Sequence, residues 1–272
     1  MSCMRSLWGT LVLAVLAFPP AHLQAQADSF EWSQRMTAGQ TLEVKGIVGE
    51  IRATPASGDR AEVVARKRGE EDDFPQVAVE VAQAGDRVVI CAVYGSWNHG
   101  QNRCHPDSEG SRGREERHRD VDMDVEVEYE VRVPPGVEFQ AAMVSGDVQA
   151  EELRSDVSAH TVTGRISLVT TGRAWAHSVS GDIEIDMGEF GNEELDFNTV
   201  SGDIRLWLPS DFSADVRFSS ISGDLESDFP MDITRDRSRW VGRKLEAMIG
   251  GGGRELSLQT VSGDVELRRS GR

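Results

Sequence analysis

The chain has 272 residues, with 29 Lys+Arg against 46 Asp+Glu and a formal charge of −17. That imbalance repels a phosphate backbone and excludes the usual electrostatics of nucleic-acid binding. Apolar residues make up 39% but aromatics only 6%, so a core must come mainly from Val, Ile, Leu and Ala, and 27 glycines announce many tight turns.

In chain order, Arg5 precedes an apolar run over 7–18, followed by Pro19-Pro20 and Ala25-Gln26-Ala27. A charged start, a short apolar stretch and an A-x-A site predict a secretory signal peptide over 1–27. The run is shorter than the roughly 20 residues of a membrane-spanning helix. Cys3 lies ahead of it and would leave with it. No later stretch is apolar enough to span a bilayer. The expected product is acidic and extracytoplasmic, whether in the periplasm, at the cell surface or secreted.

Residues 28–136 read as a β-rich capping region. TLEVKG, EIRATP, RAEVVARKR, QVAVEVAQ, RVVICAVY and DVEVEYEVRV are strand-like, and Ala84-Gly85-Asp86-Arg87 marks a hairpin. A mainly antiparallel sheet is expected here, covering the first unit of the second half of the chain. Residues 106–120, PDSEGSRGREERHRD, have almost no apolar side chain and predict a mobile surface loop. Cys91 and Cys104 are a spare pair, most simply a disulfide in an oxidising compartment. A metal site is the alternative, because His99 and His105 lie beside them, although the close C-x₂-C pairing of structural zinc is missing.

The second half repeats. MVSGDVQA, TVTGRISL, SVSGDIEI, TVSGDIRL, SISGDLES and TVSGDVEL centre on Gly146, Gly164, Gly181, Gly202, Gly223 and Gly263. The first four spacings are 17–21 residues; the last is 40, which predicts a degenerate unit around 240–249. An earlier isolated copy centres on Gly49. Aligned on glycine, positions −2, +2 and +4 are apolar, as in Val179, Ile183 and Ile185, with polar residues between: a strand with one buried face. Positions −7 and −5 are also apolar but in the opposite phase, so a bend is expected between −5 and −2. Such a unit is too short for βαβ and buries its apolar face only by stacking. Residues 137–268 are therefore expected to form a parallel β-solenoid of coils about 20 residues long, with 269–272 as a tail. An antiparallel sandwich accounts for the alternation equally well, but not for identical residue types at matching offsets.

Glycine at the bend supplies φ > 0, and the adjoining hydroxyl and Asp can satisfy backbone donors. The alternative is a cation, Ca²⁺ above all, on a row formed by Asp182, Asp203 and Asp224. Calcium needs 6–8 oxygens, and the G-G-x-G-x-D nonapeptide of calcium-loaded β-rolls is absent. Glu184, Arg205 and Glu226 alternate in sign, as a cross-strand ladder would. His160 and His177 share one offset, which Asn198 takes in the next copy, and read as a polar ladder. No G-x-S-x-G elbow, P-loop, H-E-x-x-H or C-x₂-C is found, and Gly250–Gly253 lacks the Lys-Ser/Thr of a phosphate loop. Neither a catalytic set nor a cofactor site is expected.

The repeated SGD-I/V bend, the leader and the V-R-V-P-P-G strand end at 131–136 resemble a family of bacterial candidate adhesins with β-strand repeats, long catalogued as a domain of unknown function. The resemblance runs from about Leu42 to Leu267; Thr163-Gly164-Arg165, where the Asp is lost, departs from it. It implies a β-solenoid, export or envelope association, and no established enzymatic activity. The expected role is a non-catalytic adhesin or envelope scaffold. Its expected partner is an envelope protein or polysaccharide, and the solenoid ends offer surfaces for self-association. A calcium-binding structural module and a carbohydrate-active enzyme are the alternatives.

Overall fold

A computed structural model describes residues 28–95, 104, 125–188, 194–237 and 242–271. The expected leader, the loop 106–120, and His99, His105 and Trp240 lie outside the described residues. Apart from one 3₁₀ turn (Glu71–Gln76), the described elements are strands. Those of the first part are β1 (Ser29–Arg35), β2 (Thr41–Pro55), β3 (Arg60–Gly69), β4 (Val77–Ala84), β5 (Arg87–Tyr94) and β6 (Val125–Val133). The coils then come as pairs: β7 (Glu138–Ser145) with β8 (Val148–Leu153), β9 (Val157–Thr163) with β10 (Ile166–Thr170), and β11 (Ala174–Ser180) with β12 (Ile183–Met187). Next are β13 (Leu195–Asn198) with β14 (Ile204–Leu208) and β15 (Ala214–Ser220) with β16 (Leu225–Ser227). Last are β17 (Met231–Asp236), β18 (Arg243–Ile249), β19 (Glu255–Gln259) and β20 (Val265–Arg269).

Each coil lays its first strand in one sheet and its second, after the glycine, in another. The post-glycine sheet runs β1-β3-β6-β2-β8-β10-β12-β14-β20-β16. The pre-glycine sheet runs β4-β5-β2-β7-β9-β11-β13-β19-β15-β18-β17. Coil-to-coil pairing is parallel and in register, so Ile166, Ile183, Ile204 and Val265 form one buried row. Ala141, Ala159, Ala176, Phe197, Leu258 and Phe218 form its counterpart across the core. Each fully buried Ile or Leu contributes about 1.5–3 kcal/mol, and only stacking provides that burial.

The long strand β2 is the isolated early copy. It bends at Gly49 and heads the array, pairing in parallel with both β7 and β8. On its other side β5 and β6 also run parallel to it, extending the stack by another rung. The antiparallel pairings expected here form the outer layer: β1 with β3, β3 with β6, and β4 with β5 through the Gly85 hairpin. One irregularity interrupts the regular coils. In β8, Glu151 and Glu152 face the single Val169, and Glu152 takes φ +51°, a β-bulge.

Two expectations about the last third are corrected. Among the described residues of 240–249 there is no degenerate coil; β18 instead pairs antiparallel with both β15 and β17 and closes that end of the pre-glycine sheet. Nor do the copies stack in chain order. The Gly263 coil inserts between those of Gly202 and Gly223, since β14 pairs with β20 and β20 with β16. The run Gly250–Gly253 makes this crossover. It carries the chain from β18 on one side of β15 to β19 on the other, with φ of +60°, +69° and +117° at Gly250, Gly252 and Gly253. Ser213 Oγ donates to Gly252 O at 2.8 Å, tying the crossover to the start of β15.

Candidate functional site

The repeated corner is where every coil does the same thing. At Gly146, Gly164, Gly181, Gly202, Gly263 and Gly223, φ lies between +139° and +157°. Crowding adds to this conformational demand. A Cβ built on Gly202 would stand 2.3 Å from Gly181 O, and one on Gly146 would stand 1.7 Å from Gly49 O. The ladder nevertheless passes through the bend unbroken: Gly181 N donates to Ser201 O, Gly202 N to Ser262 O, and Gly263 N to Ser222 O, at 2.8–3.1 Å.

The Asp after the glycine is a structural acceptor. Asp147 Oδ1 accepts Arg165 N–H, Asp182 Oδ1 accepts Asp203 N–H, Asp203 Oδ1 accepts Asp264 N–H and Asp264 Oδ1 accepts Asp224 N–H, all within 2.8–3.0 Å. Each carboxylate thus binds the next coil at its own level. The calcium row Asp182, Asp203 and Asp224 is not contiguous, because Asp264 occupies the rung between the last two. Among the described residues no three His, Cys, Asp or Glu side chains are grouped as a metal site. Asp203→Ala should cost about 1–2 kcal/mol in urea unfolding, since an N–H loses a charged acceptor in a half-exposed setting. Asp203→Asn, which keeps an oxygen there, should recover most of that.

The same interleaving alters the charge ladder three residues after glycine. Spatially it reads Glu184, Arg205, Glu266, Glu226. Arg205 contacts Glu184, Asp203 and Glu266 at 2.9–3.5 Å. The adjacent acids Glu266 and Glu226 are bridged by Arg268, at 2.9 and 3.0 Å. At the N-terminal end of the column, Glu50, Glu126, Glu128 and Asp147 line a shallow acidic cleft beside Gly49 and Gly146.

His160 and His177 stack in register on the outer face of the pre-glycine sheet, with ring centroids 5.0 Å apart. Asn198 Nδ2 donates to His177 Nδ1 at 3.1 Å, and Ser158 Oγ lies 3.2 Å from His160 Nε2. This is the polar ladder that the sequence suggested. Partial burial of the ring, reinforced by the neighbouring His177, holds His160 below its ordinary value of 6.5. The unfolded chain therefore binds more protons as pH falls through 6.5, so stability declines on the acid side and is fully recovered above it. The melting temperature should drop between pH 7.5 and 5.5, and His160→Asn should flatten that drop.

Cys91 and Cys104 form a disulfide with Cα atoms 5.5 Å apart. Two buried tyrosines brace the head of the array: Tyr94 Oη donates to Val125 O at 3.0 Å, and Tyr129 Oη to Lys45 O at 3.3 Å. Burial pushes the Tyr94 hydroxyl up to about 12 and the Tyr129 hydroxyl further in the same direction.

One set of corner residues lies opposite to the expectation. The apolar residue two before each glycine points outward, not into the core: Val144, Val162, Val179, Val200, Val261 and Ile221 are all exposed. The inward position is three before glycine, occupied by Met143, Thr161, Ser178, Thr199, Thr260 and Ser220. Thr161 and Thr199 reach Gly146 O and Gly181 O, each at 3.3 Å. The buried phase thus continues from −7 through −5 to −3, and the bend is the Ser-Gly-Asp itself. Met143 was the available signal, being the apolar member of the −3 set.

Stacked coils joined at a tight corner, with mostly parallel strands and columns of identical side chains, define a β-solenoid protein. The chain belongs to the Toastrack DUF4097 family, whose model matches residues 120–268. No curated protein matches it. Among solved structures, a candidate cell adhesion protein from Clostridium sporogenes is similar with a TM-score of 0.43 at 8% identity, covering 89% of this chain and 100% of that one. A candidate adhesin from Bacteroides fragilis is next, with a TM-score of 0.36 at 12% identity, covering 88% and 96%. A candidate lipid binding protein from Parabacteroides distasonis has a TM-score of 0.32 at 10% identity, covering 89% and 97%.

Proposed function

We propose that the protein is an exported, non-catalytic interaction module of the cell envelope, adhesin-like in its mode of use. Residues 1–27 direct export and are removed, 28–136 cap the rod, and 137–268 carry the contacts. What supports this reading is the register: equivalent outward positions of successive coils line up rung by rung, about 4.8 Å apart, and two before each glycine the exposed residue is Val or Ile in all six copies. A surface of that kind suits many weak, repeated contacts to an envelope protein or polysaccharide, which together give avidity.

The test has two parts. N-terminal sequencing of the secreted product should begin at Asp28. The purified mature protein should then cosediment saturably with isolated envelopes and release no soluble fragments from acidic glycans. Turnover of a glycan would make it an enzyme and overturn the reading. Calorimetric titration with Ca²⁺ separates out the calcium-binding module.

A further inference from the structure

The outward-facing column at position −2 has no part in the core. Eight large apolar side chains are exposed among the described residues, and six of them are this column. The other two, Val81 and Ile233, lie on the outermost strands β4 and β17. The column is held in line by the backbone: Ser201 N–H donates to Val179 O, Ser262 N–H to Val200 O and Ser222 N–H to Val261 O, each at 2.9 Å. Strand preference does not demand Val here, because Thr serves as well at the adjoining positions Thr161, Thr163 and Thr199. The result is a straight apolar ridge of six rungs, about 24 Å long at 4.8 Å per rung.

We propose that this ridge, with the Asp column beside it, docks a basic amphipathic helix of a partner protein. This rests on the binding role proposed above and names the class of partner. Charge selects the occupant. Asp147, Asp182, Asp203, Asp264 and Asp224 stand three residues after the ridge position in their coils, with Arg165 in that place in the sixth. Arg205 and Arg243 pair with Asp203 and Asp224, so the column sets five acids against three arginines, and the whole chain carries −17. A second copy would bring two acidic columns together, and an anionic bilayer would be repelled. Six half-exposed side chains amount to a few hundred Å², well short of the roughly 800 Å² per partner of a stable dimer. The spacing fits a helix better than a strand. Successive turns of a helix are about 5.4 Å apart, near the 4.8 Å rung, whereas same-face residues of a strand repeat at about 6.7 Å. About 16 residues of helix would span the ridge.

Fluorescence anisotropy with a labelled 16-residue Leu/Lys amphipathic peptide tests this on the mature protein. Binding should be at least 10-fold tighter than to a scrambled peptide of the same composition or to a Leu/Glu counterpart. The triple variant Val179→Thr, Val200→Thr, Val261→Thr should weaken it at least 10-fold while melting like the parent, and Val81→Thr should leave it unchanged. Equal binding of the scrambled peptide, or an unaltered triple variant, would overturn the ridge assignment. So would a concentration-dependent dimer in sedimentation that the triple variant abolishes, since that would make a second copy the occupant. If envelope cosedimentation persists while the peptide fails to bind, only the ridge assignment falls; if both fail, the binding role falls with it.

Discussion

Gly202→Val is expected to cost at least 3 kcal/mol, enough to remove much of the stability of a domain of this size. Two independent penalties meet at this residue. Its φ of +148° is a region that side chains with a Cβ rarely adopt. Its Cβ would also lie 2.3 Å from Gly181 O and 2.6 Å from Gly181 C, both backbone atoms of the coil beneath. Relief would require separating two rungs, which lengthens Gly181 N–H to Ser201 O and Ser201 N–H to Val179 O together. Gly58, whose Cβ would meet nothing within 4 Å, serves as the control, and Gly58→Ala should change stability by less than about 0.5 kcal/mol. Urea unfolding of the two variants side by side checks the prediction. A Gly202→Val midpoint equal to that of the parent would mean that the rungs are not in contact at the corner.

Removing residues 254–272 should be more damaging still, although it touches only the chain end. The segment supplies β19 and β20, which lie between the Gly202 and Gly223 coils rather than beyond them. Its deletion takes Leu256, Leu258, Val265 and Leu267 out of the core, all fully buried. At about 1.5–3 kcal/mol each, those four alone match the typical stability of a whole domain. It also leaves β13 and β14 with open edges and parts β15 from the stack, holding only the β17–β18 hairpin. The truncated protein should lose its cooperative melting transition, and limited proteolysis should cut between 208 and 250. A truncated chain melting within a few degrees of the full one would show that the coils stack in chain order after all.

These two expectations draw on different kinds of information. The corner glycines could be named from the chain alone, because a residue required at φ > 0 in every copy leaves a repeated Gly flanked by turn-forming Ser and Asp. The same holds for the strand after the glycine, where alternation at +2 and +4 put Ile183, Ile204 and Val265 in the core. Stacking of equivalent copies was legible too, since a unit of about 20 residues has no other way to bury its apolar face. The role of Asp as an acceptor for backbone N–H was also within reach of turn chemistry.

By itself, then, the sequence determined the repeat, the parallel rungs, the glycine at each bend and the membership of a solenoid family. Two further points were settled only by the tertiary structure. Which rung a copy occupies depends on how a sheet edge is closed, and near-identical copies fit any rung equally well, so the β17–β18 hairpin and the Gly250–Gly253 crossover decided that Gly263 precedes Gly223. Which way the residue before Ser-Gly-Asp points depends on where within three residues the chain turns, and a valine satisfies a strand on either face. That placement turned an apparent core position into an exposed ridge.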